Sequence, residues 1–318
     1  MDKGKITMYD KELGYGEITY NDEKTIFFKN VYNNVIKPGT NVIFSIDKNE
    51  EGLFASDLKV TRIIAVTSGK GGVGKSTLVA NLGSELAKEY KVVLIDADLG
   101  LKNLDCILGL ENRVIFDIED VIENRADLMQ ALVNDKKREN LFILPACRNL
   151  DVTKVDFKYM EKIVLELQNR FDYIIIDCPA GIERGFFNAI NNASEAIVVA
   201  SLDISSIRDA DKVIGILNQR GINEVGLVIN KYNPEKLTSS SLTIEDALEV
   251  LNIPLLGVVY YEESMSNISN KGEVILDYEK ELASKCYKNI SKRLQGENIP
   301  ICKYKKKSLF QKLFSKNY

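Results

Sequence analysis

The sequence predicts an α/β protein: a doubly wound, mostly parallel sheet, preceded by a small all-β barrel and followed by a C-terminal amphipathic helix. Three observations predict it. A glycine-rich loop at residues 69–77 lies between an apolar run and a helical pattern. From residue 62 onward, continuous apolar runs alternate with helical spacing. Residues 1–60 carry short alternating strands instead, and the chain ends on lysines and bulky apolar side chains. The implied division is 1–60, 61–301 and 302–318.

At 318 residues, 45% hydrophobic and 28% charged, the chain is long enough for one large α/β domain and a small module. It has no histidine, which excludes histidine-based acid–base catalysis and histidine ligation of metals. Chemistry must rest on carboxylates, lysines and a bound ion. The five cysteines, Cys106, Cys147, Cys178, Cys286 and Cys302, form no C-x-x-C pair and read as core or surface thiols. No apolar run approaches membrane-spanning length and no signal peptide opens the chain, so a cytoplasmic protein is expected.

In the first module, strands are expected at 5–9, 16–20, 25–28 and 41–46, with a turn signal at Lys37-Pro38-Gly39. The wording GKITMYDKELGYGEI (4–18) resembles the opening of a cold-shock domain, an OB-type barrel. That resemblance implies single-stranded nucleic acid as a ligand, stacked on Tyr9, Tyr15, Phe27 and Phe28. Met8, however, replaces the usual tryptophan, and Glu17, Lys29 and Asn30 stand where aromatic residues or histidine are usual. Eight lysines against ten acidic residues leave a balance that repels phosphate. A protein-docking or regulatory role is the favoured reading, with nucleic acid the alternative.

The central loop reads Gly69-Lys70-Gly71-Gly72-Val73-Gly74-Lys75-Ser76-Thr77. It satisfies G-x-x-x-x-G-K-[ST], after a strand-like run at 63–66 and before helical spacing over 76–89. Glycines let backbone N–H groups wrap polyphosphate, and the helix start adds free N–H groups and a positive dipole end. Lys75 is expected to reach the β/γ-phosphates and the Ser76 hydroxyl to ligate Mg²⁺, so ATP and Mg²⁺ are the expected cofactors. Further buried strands are expected at 92–95, 141–144, 173–176, 196–199 and 226–229. Helices are expected around 156–169, 206–219, 242–251 and 274–294. Two strands end on acids, at Asp96-Ala97-Asp98 and at Asp177. Beside a phosphate loop, Asp96 and Asp177 are candidates for metal or water contacts.

The second lysine, Lys70, makes the loop resemble that of the deviant Walker A ATPases of the ParA/MinD superfamily. The likeness runs through 62–314, and IDADLGLKNLDCILGLENR (95–113), FDYIIIDCPAGIE (171–183), SSIRDADKVIGIL (205–217) and NISNKGEV (267–274) resemble its division-site branch. By position, the resemblance implies that Lys70 acts in trans across an ATP-dependent homodimer. Asp98 would position the attacking water, Asp177 would contact Mg²⁺ through water and Asn230 would recognise adenine. One departure is Val259-Tyr260-Tyr261-Glu262, where the family usually has Val-Pro-Glu. The implied function is a membrane-cycling ATPase regulating septum placement, partnered by a division inhibitor or polar scaffold. The alternatives are a flagellar-number regulator, a ParA-type partitioning factor, or a nucleic-acid-binding regulator led by the barrel.

The tail is a separate signal. Leu309, Phe310, Leu313 and Phe314 fall within about 140° of one helical face, behind Lys305, Lys306 and Lys307. This composition reads as a helix lying in an anionic membrane surface, on the inner face of the cell membrane. The other readings are a helix packed on its own domain and a frayed basic end.

Overall fold

The computed structural model describes residues 2–21, 23–29, 31, 36, 38–98, 103–147, 157–168, 170–238 and 241–304. The proposed membrane residues Lys305, Lys306, Lys307, Leu309, Phe310, Leu313 and Phe314 lie outside them.

The first five strands, β1 (Asp2–Asp10), β2 (Tyr15–Tyr20), β3 (Lys24–Phe28), β4 (Asn41–Asn49) and β5 (Gly52–Lys59), close into a barrel of order β1-β2-β3-β5-β4. All contacts but β3 with β5 are antiparallel. Alternation aims Ile6, Ile18, Ile26, Phe28, Val42 and Phe44 into one buried core. Strand β5 was not anticipated: within Gly52–Lys59 only Ala55 is buried, so the segment lacks an apolar rhythm. The aromatic residues divide. Phe28 is core, with Tyr9 stacked on it and bonded through its hydroxyl to the Val31 carbonyl at 2.9 Å. Tyr15 and Phe27 stack on each other at 5.6 Å, and Phe27 is exposed.

The remaining strands are β6 (Arg62–Thr67), β7 (Val92–Asp96), β8 (Val133–Asn134), β9 (Leu141–Leu144), β10 (Tyr173–Asp177), β11 (Glu195–Ala200), β12 (Glu224–Tyr232) and β13 (Leu255–Tyr260). They form one sheet of order β13-β12-β11-β6-β10-β7-β9-β8, parallel throughout except for β8 on β9. Every residue of β7, β10 and β11 is buried, which requires cover on both faces. Helix Lys75–Leu86 packs on β7 and β10 and against helix Leu282–Leu294, which covers β13. Helix Ile204–Gln219 packs on β11, and helix Arg184–Ile190, not foreseen in the sequence, on β6 and β10. The pattern expected over 274–294 resolves into a 3₁₀ turn at Ile275–Asp277 and the helix Leu282–Leu294. Cys147, Cys178, Cys286 and Cys302 are buried and Cys106 is exposed.

The barrel joins the sheet through Thr61, whose hydroxyl donates to the Phe171 carbonyl at 2.7 Å, and through Asn41 Nδ2 on Gln168 Oε1 at 3.0 Å. Beside this junction Arg62 meets Glu195 in a two-pronged ion pair and donates to the Leu294 carbonyl at 2.8 Å. Burial works against the Arg62 charge, but Glu195 overrides it and raises the pKa. No helix among the described residues is long and apolar enough to cross a membrane.

Candidate functional site

The site lies at the carboxyl ends of β6, β7, β10 and β12, where an open parallel sheet leaves a crevice. Strand β6 runs into the glycine loop, and helix Lys75–Leu86 starts directly behind it. Gly74 caps this helix in the left-handed region, φ 99°, with no side-chain cap and no acidic residue in the first turn. The helix thus presents unsatisfied N–H groups and its positive end, as an anion site requires. Two glycines are demanded by geometry. A Cβ on Gly74 would stand 2.3 Å from Asn230 Nδ2, and one on Gly69 would stand 2.4 Å from the Asp209 backbone.

Asn230, near the end of β12, is 4% exposed and is bonded to the glycine loop. Its Nδ2 donates to the Val73 carbonyl at 2.8 Å, while its Oδ1 accepts from Lys231 N at 2.9 Å. An adenine base would find the second Nδ2 hydrogen and the second Oδ1 lone pair still open. Lys231, which the sequence reading passed over, sits at φ 56° and donates from Nζ to the Gly72 carbonyl at 2.6 Å. Its place directly after Asn230 was the available signal. Together the two side chains hold the loop's carbonyls from behind.

Adjacent strands β7 and β10 place Asp96 directly opposite Asp177. Asp96 accepts from the amides of Asp98 (3.2 Å), Asn103 (3.2 Å) and Leu104 (3.3 Å), so one carboxylate ties both flanks of the segment between them. Burial first, then the charge of Asp177, pushes its pKa up to about 8 despite those three bonds. Asp177 is 1% exposed, and neither oxygen has a well-formed hydrogen bond. Burial pushes it up to about 7, opposed by the nearby Ser76 hydroxyl and Lys75 charge and aided by Asp98. A buried carboxylate with no well-formed hydrogen bond, beside a hydroxyl, fits a hard divalent cation that keeps part of its water shell. Lys75 itself is buried at the helix start.

The pH consequence has a definite sign. With pKa values raised in the folded state from 3.8 to about 8 and about 7, Asp96 and Asp177 are expected to bind more protons folded than unfolded between those limits. Stability of the nucleotide-free protein is therefore expected to fall as pH rises from about 4 to about 8. Thermal melts at pH 6 and pH 8 check this. Asp177→Asn should flatten the profile, and Mg²⁺ should stabilise the wild type more at pH 8. A melting temperature that climbs across the window in wild type and variant alike would contradict the assignment.

Lys70 stands at the rim, half exposed. Its Nζ lies 3.1 Å from Ser205 Oγ and 3.6 Å from Asp203 Oδ1 of the same chain. Asp203, also missed in the sequence, caps helix Ile204–Gln219 by accepting from Ser206 N at 3.0 Å. Burial opposes its charge, but bonds from Ser201, Ser206 and Ser205 and the charge of Lys70 hold it at about 2.

Residues 64–275 match the family model of the CobQ/CobB/MinD/ParA nucleotide binding domain. The septum site-determining protein MinD of Synechocystis is 45% identical over 245 residues, 76% of this chain and 92% of that protein. Its Bacillus subtilis counterpart is 45% identical over 242 residues, 75% and 90% respectively. Among solved structures, the MinC:MinD cell division protein complex of Aquifex aeolicus aligns at TM-score 0.72 and 42% identity, covering 77% of this chain and 99% of that one. MinD of Pyrococcus horikoshii complexed with Mg-ADP aligns at TM-score 0.67 and 30% identity, covering 74% and 96%.

Proposed function

The chain belongs to the CobQ/CobB/MinD/ParA nucleotide-binding family, and from that premise we propose that it is an ATP-hydrolysing, dimerising protein that regulates placement of the division septum. The observation that carries the reading is the uncapped start of helix Lys75–Leu86 beside the buried carboxylate of Asp177, neither oxygen of which has a well-formed hydrogen bond. The names of the MinD relatives favour division-site regulation over flagellar or cargo positioning.

Loop amides and Lys75 would hold the phosphates, and Asp98 would orient the attacking water. Ser76, with Asp177 through water, would hold Mg²⁺, which supplies charge neutralisation on the phosphate oxygens when bound. Asp96 would act mainly through the Asp98, Asn103 and Leu104 amides it holds, and Asn230 on the loop it braces. Lys70 would leave Asp203 and Ser205 to reach the partner's nucleotide, supplying a cation as an arginine finger does. The Aquifex relative is found with MinC, so a division inhibitor is the partner proposed, with a polar scaffold as a further candidate. Of the tail 302–318, residues 302–304 pack on the large domain, and residues 305–318 would attach the ATP-bound dimer to the inner face of the cell membrane. The 1–60 unit would dock protein rather than nucleic acid.

Lys70→Ala tests the dimer. It is expected to bind nucleotide as wild type does, yet to stay monomeric with ATP in size-exclusion chromatography and to lose hydrolysis. Undiminished turnover in this variant would remove the in-trans role.

A further inference from the structure

The last described residue, Tyr304, is held in place. Residues 299–304 are stitched to their surroundings by Arg293, which donates to the Ile299 carbonyl at 2.6 Å, and by Asn289 Nδ2 on the Pro300 carbonyl at 3.2 Å. The hydroxyl of buried Tyr260 donates to the Cys302 carbonyl at 2.8 Å. Tyr304 then lays its ring on Tyr260, centroids 5.3 Å apart, and its hydroxyl donates to Glu235 Oε1 at 2.9 Å. On its other side Tyr260 meets Tyr232 at 5.7 Å, its partner in the β12–β13 register. Tyr232 directly follows Asn230 and Lys231. Three tyrosines thus form a ladder from the two side chains that brace the phosphate loop to the root of the C-terminal tail. The middle rung is one of the two tyrosines standing where the family pattern has Val-Pro-Glu.

The loop end of this ladder must respond to a ligand. The Gly72 carbonyl held by Lys231 shares a peptide unit with the Val73 N–H, and the Val73 carbonyl held by Asn230 shares one with the Gly74 N–H. Phosphate drawn onto those N–H groups polarises and re-aims the same peptides, changing how strongly the carbonyls load Lys231 and Asn230. That load falls on the end of β12, where Tyr232 is packed.

We propose that Tyr232, Tyr260 and Tyr304 are positioning residues of the nucleotide site. Through them the rooted segment 299–304 braces the end of β12 and the phosphate loop, so nucleotide binding and the setting of Tyr304 are linked. The inference rests on the nucleotide-binding reading of the loop but not on membrane attachment. Linkage is reciprocal: whatever nucleotide does to the rung at 304, disturbing the ladder does to nucleotide affinity.

The chain has no tryptophan, so Tyr304→Trp places a single indole at the end of the ladder. In vesicle-free solution, its emission maximum and acrylamide quenching are expected to change when Mg-ADP saturates the full-length protein. Tyr260→Leu should weaken binding of a fluorescent ADP analogue about fivefold, the lower end of usual coupling. Tyr260→Phe, which keeps the ring, should recover most of that loss, and deletion of 305–318 should change neither readout. Emission at position 304 indifferent to saturating nucleotide overturns the proposal, as does Tyr260→Leu protein that binds the analogue like wild type. Should Tyr260→Leu not fold, the emission measurement decides alone. A wild type that binds no ADP sinks the nucleotide reading itself, whereas binding with unmoved emission sinks only the ladder.

Discussion

Deleting residues 305–318 is expected to abolish sedimentation with anionic vesicles in the presence of ATP, while nucleotide binding stays at the wild-type level. Leu309, Phe310, Leu313 and Phe314 offer about 1.5–3 kcal/mol each as an upper bound when buried in the interface. Ordering nine or ten residues costs about 1–2 kcal/mol per residue, so one helix is marginal. Two helices on one dimer bind by avidity, which makes attachment depend on ATP through dimerisation. Phe310→Glu should act like the deletion, because it sets a charge in the apolar face. Wild-type attachment should weaken as salt rises, since the lysines work through a screened surface potential. A chain dimerised permanently by a fused coiled coil should attach without nucleotide. Equal sedimentation of the tail-deleted protein, or wild-type attachment indifferent to ATP, would overturn the switch.

Lys75→Ala is expected to reduce ATP hydrolysis by at least about a hundredfold, the usual cost of removing one preorganised charge donor from a transferring group. Buried at the helix start, Lys75 has no solvent-borne substitute, and its loss also leaves buried Asp177 without a nearby cation. Nucleotide affinity should fall with it. Asp98→Ala should lose comparable turnover but keep nucleotide, because its role is toward water and not toward phosphate. The pair is separated by measuring fluorescent-nucleotide binding alongside phosphate release. Asp98→Ala turning over at the wild-type rate would reassign the water-orienting role.

How far the fold could be read in advance depended on how each segment hides its backbone. The core strands of the large sheet are covered on both faces, so β7 and β10 are unbroken apolar runs and were legible. Strand β5 closes a barrel with one face in solvent and buries only Ala55, so its residues carry little pattern. Helix Arg184–Ile190 is only seven residues long, too short for a periodic signal. The same contrast holds in the site. Local chemistry marked Gly69–Thr77, Asp96, Asp98 and Asp177, because loops and strand ends declare themselves in sequence. The grip of Asn230 and Lys231 on Val73 and Gly72 joins residues 157 and 159 positions apart, and Lys70 meets Ser205 across 135. No local pattern encodes such pairs; the parallel sheet creates them by bringing every strand's carboxyl end to one rim.

The distribution of thiols has a practical consequence. Four cysteines are buried, and burial raises the pKa of Cys178 and Cys286, which suppresses the reactive thiolate. Cys106 alone is exposed, and it lies two residues past Leu104, whose amide is tied to Asp96. The unaltered folded chain should therefore take up one equivalent of a maleimide dye, with no cysteine engineered in or out. The label would land on a short helix, Leu104–Ile107, whose first amide is bonded to Asp96, a built-in attachment point for following that region during turnover.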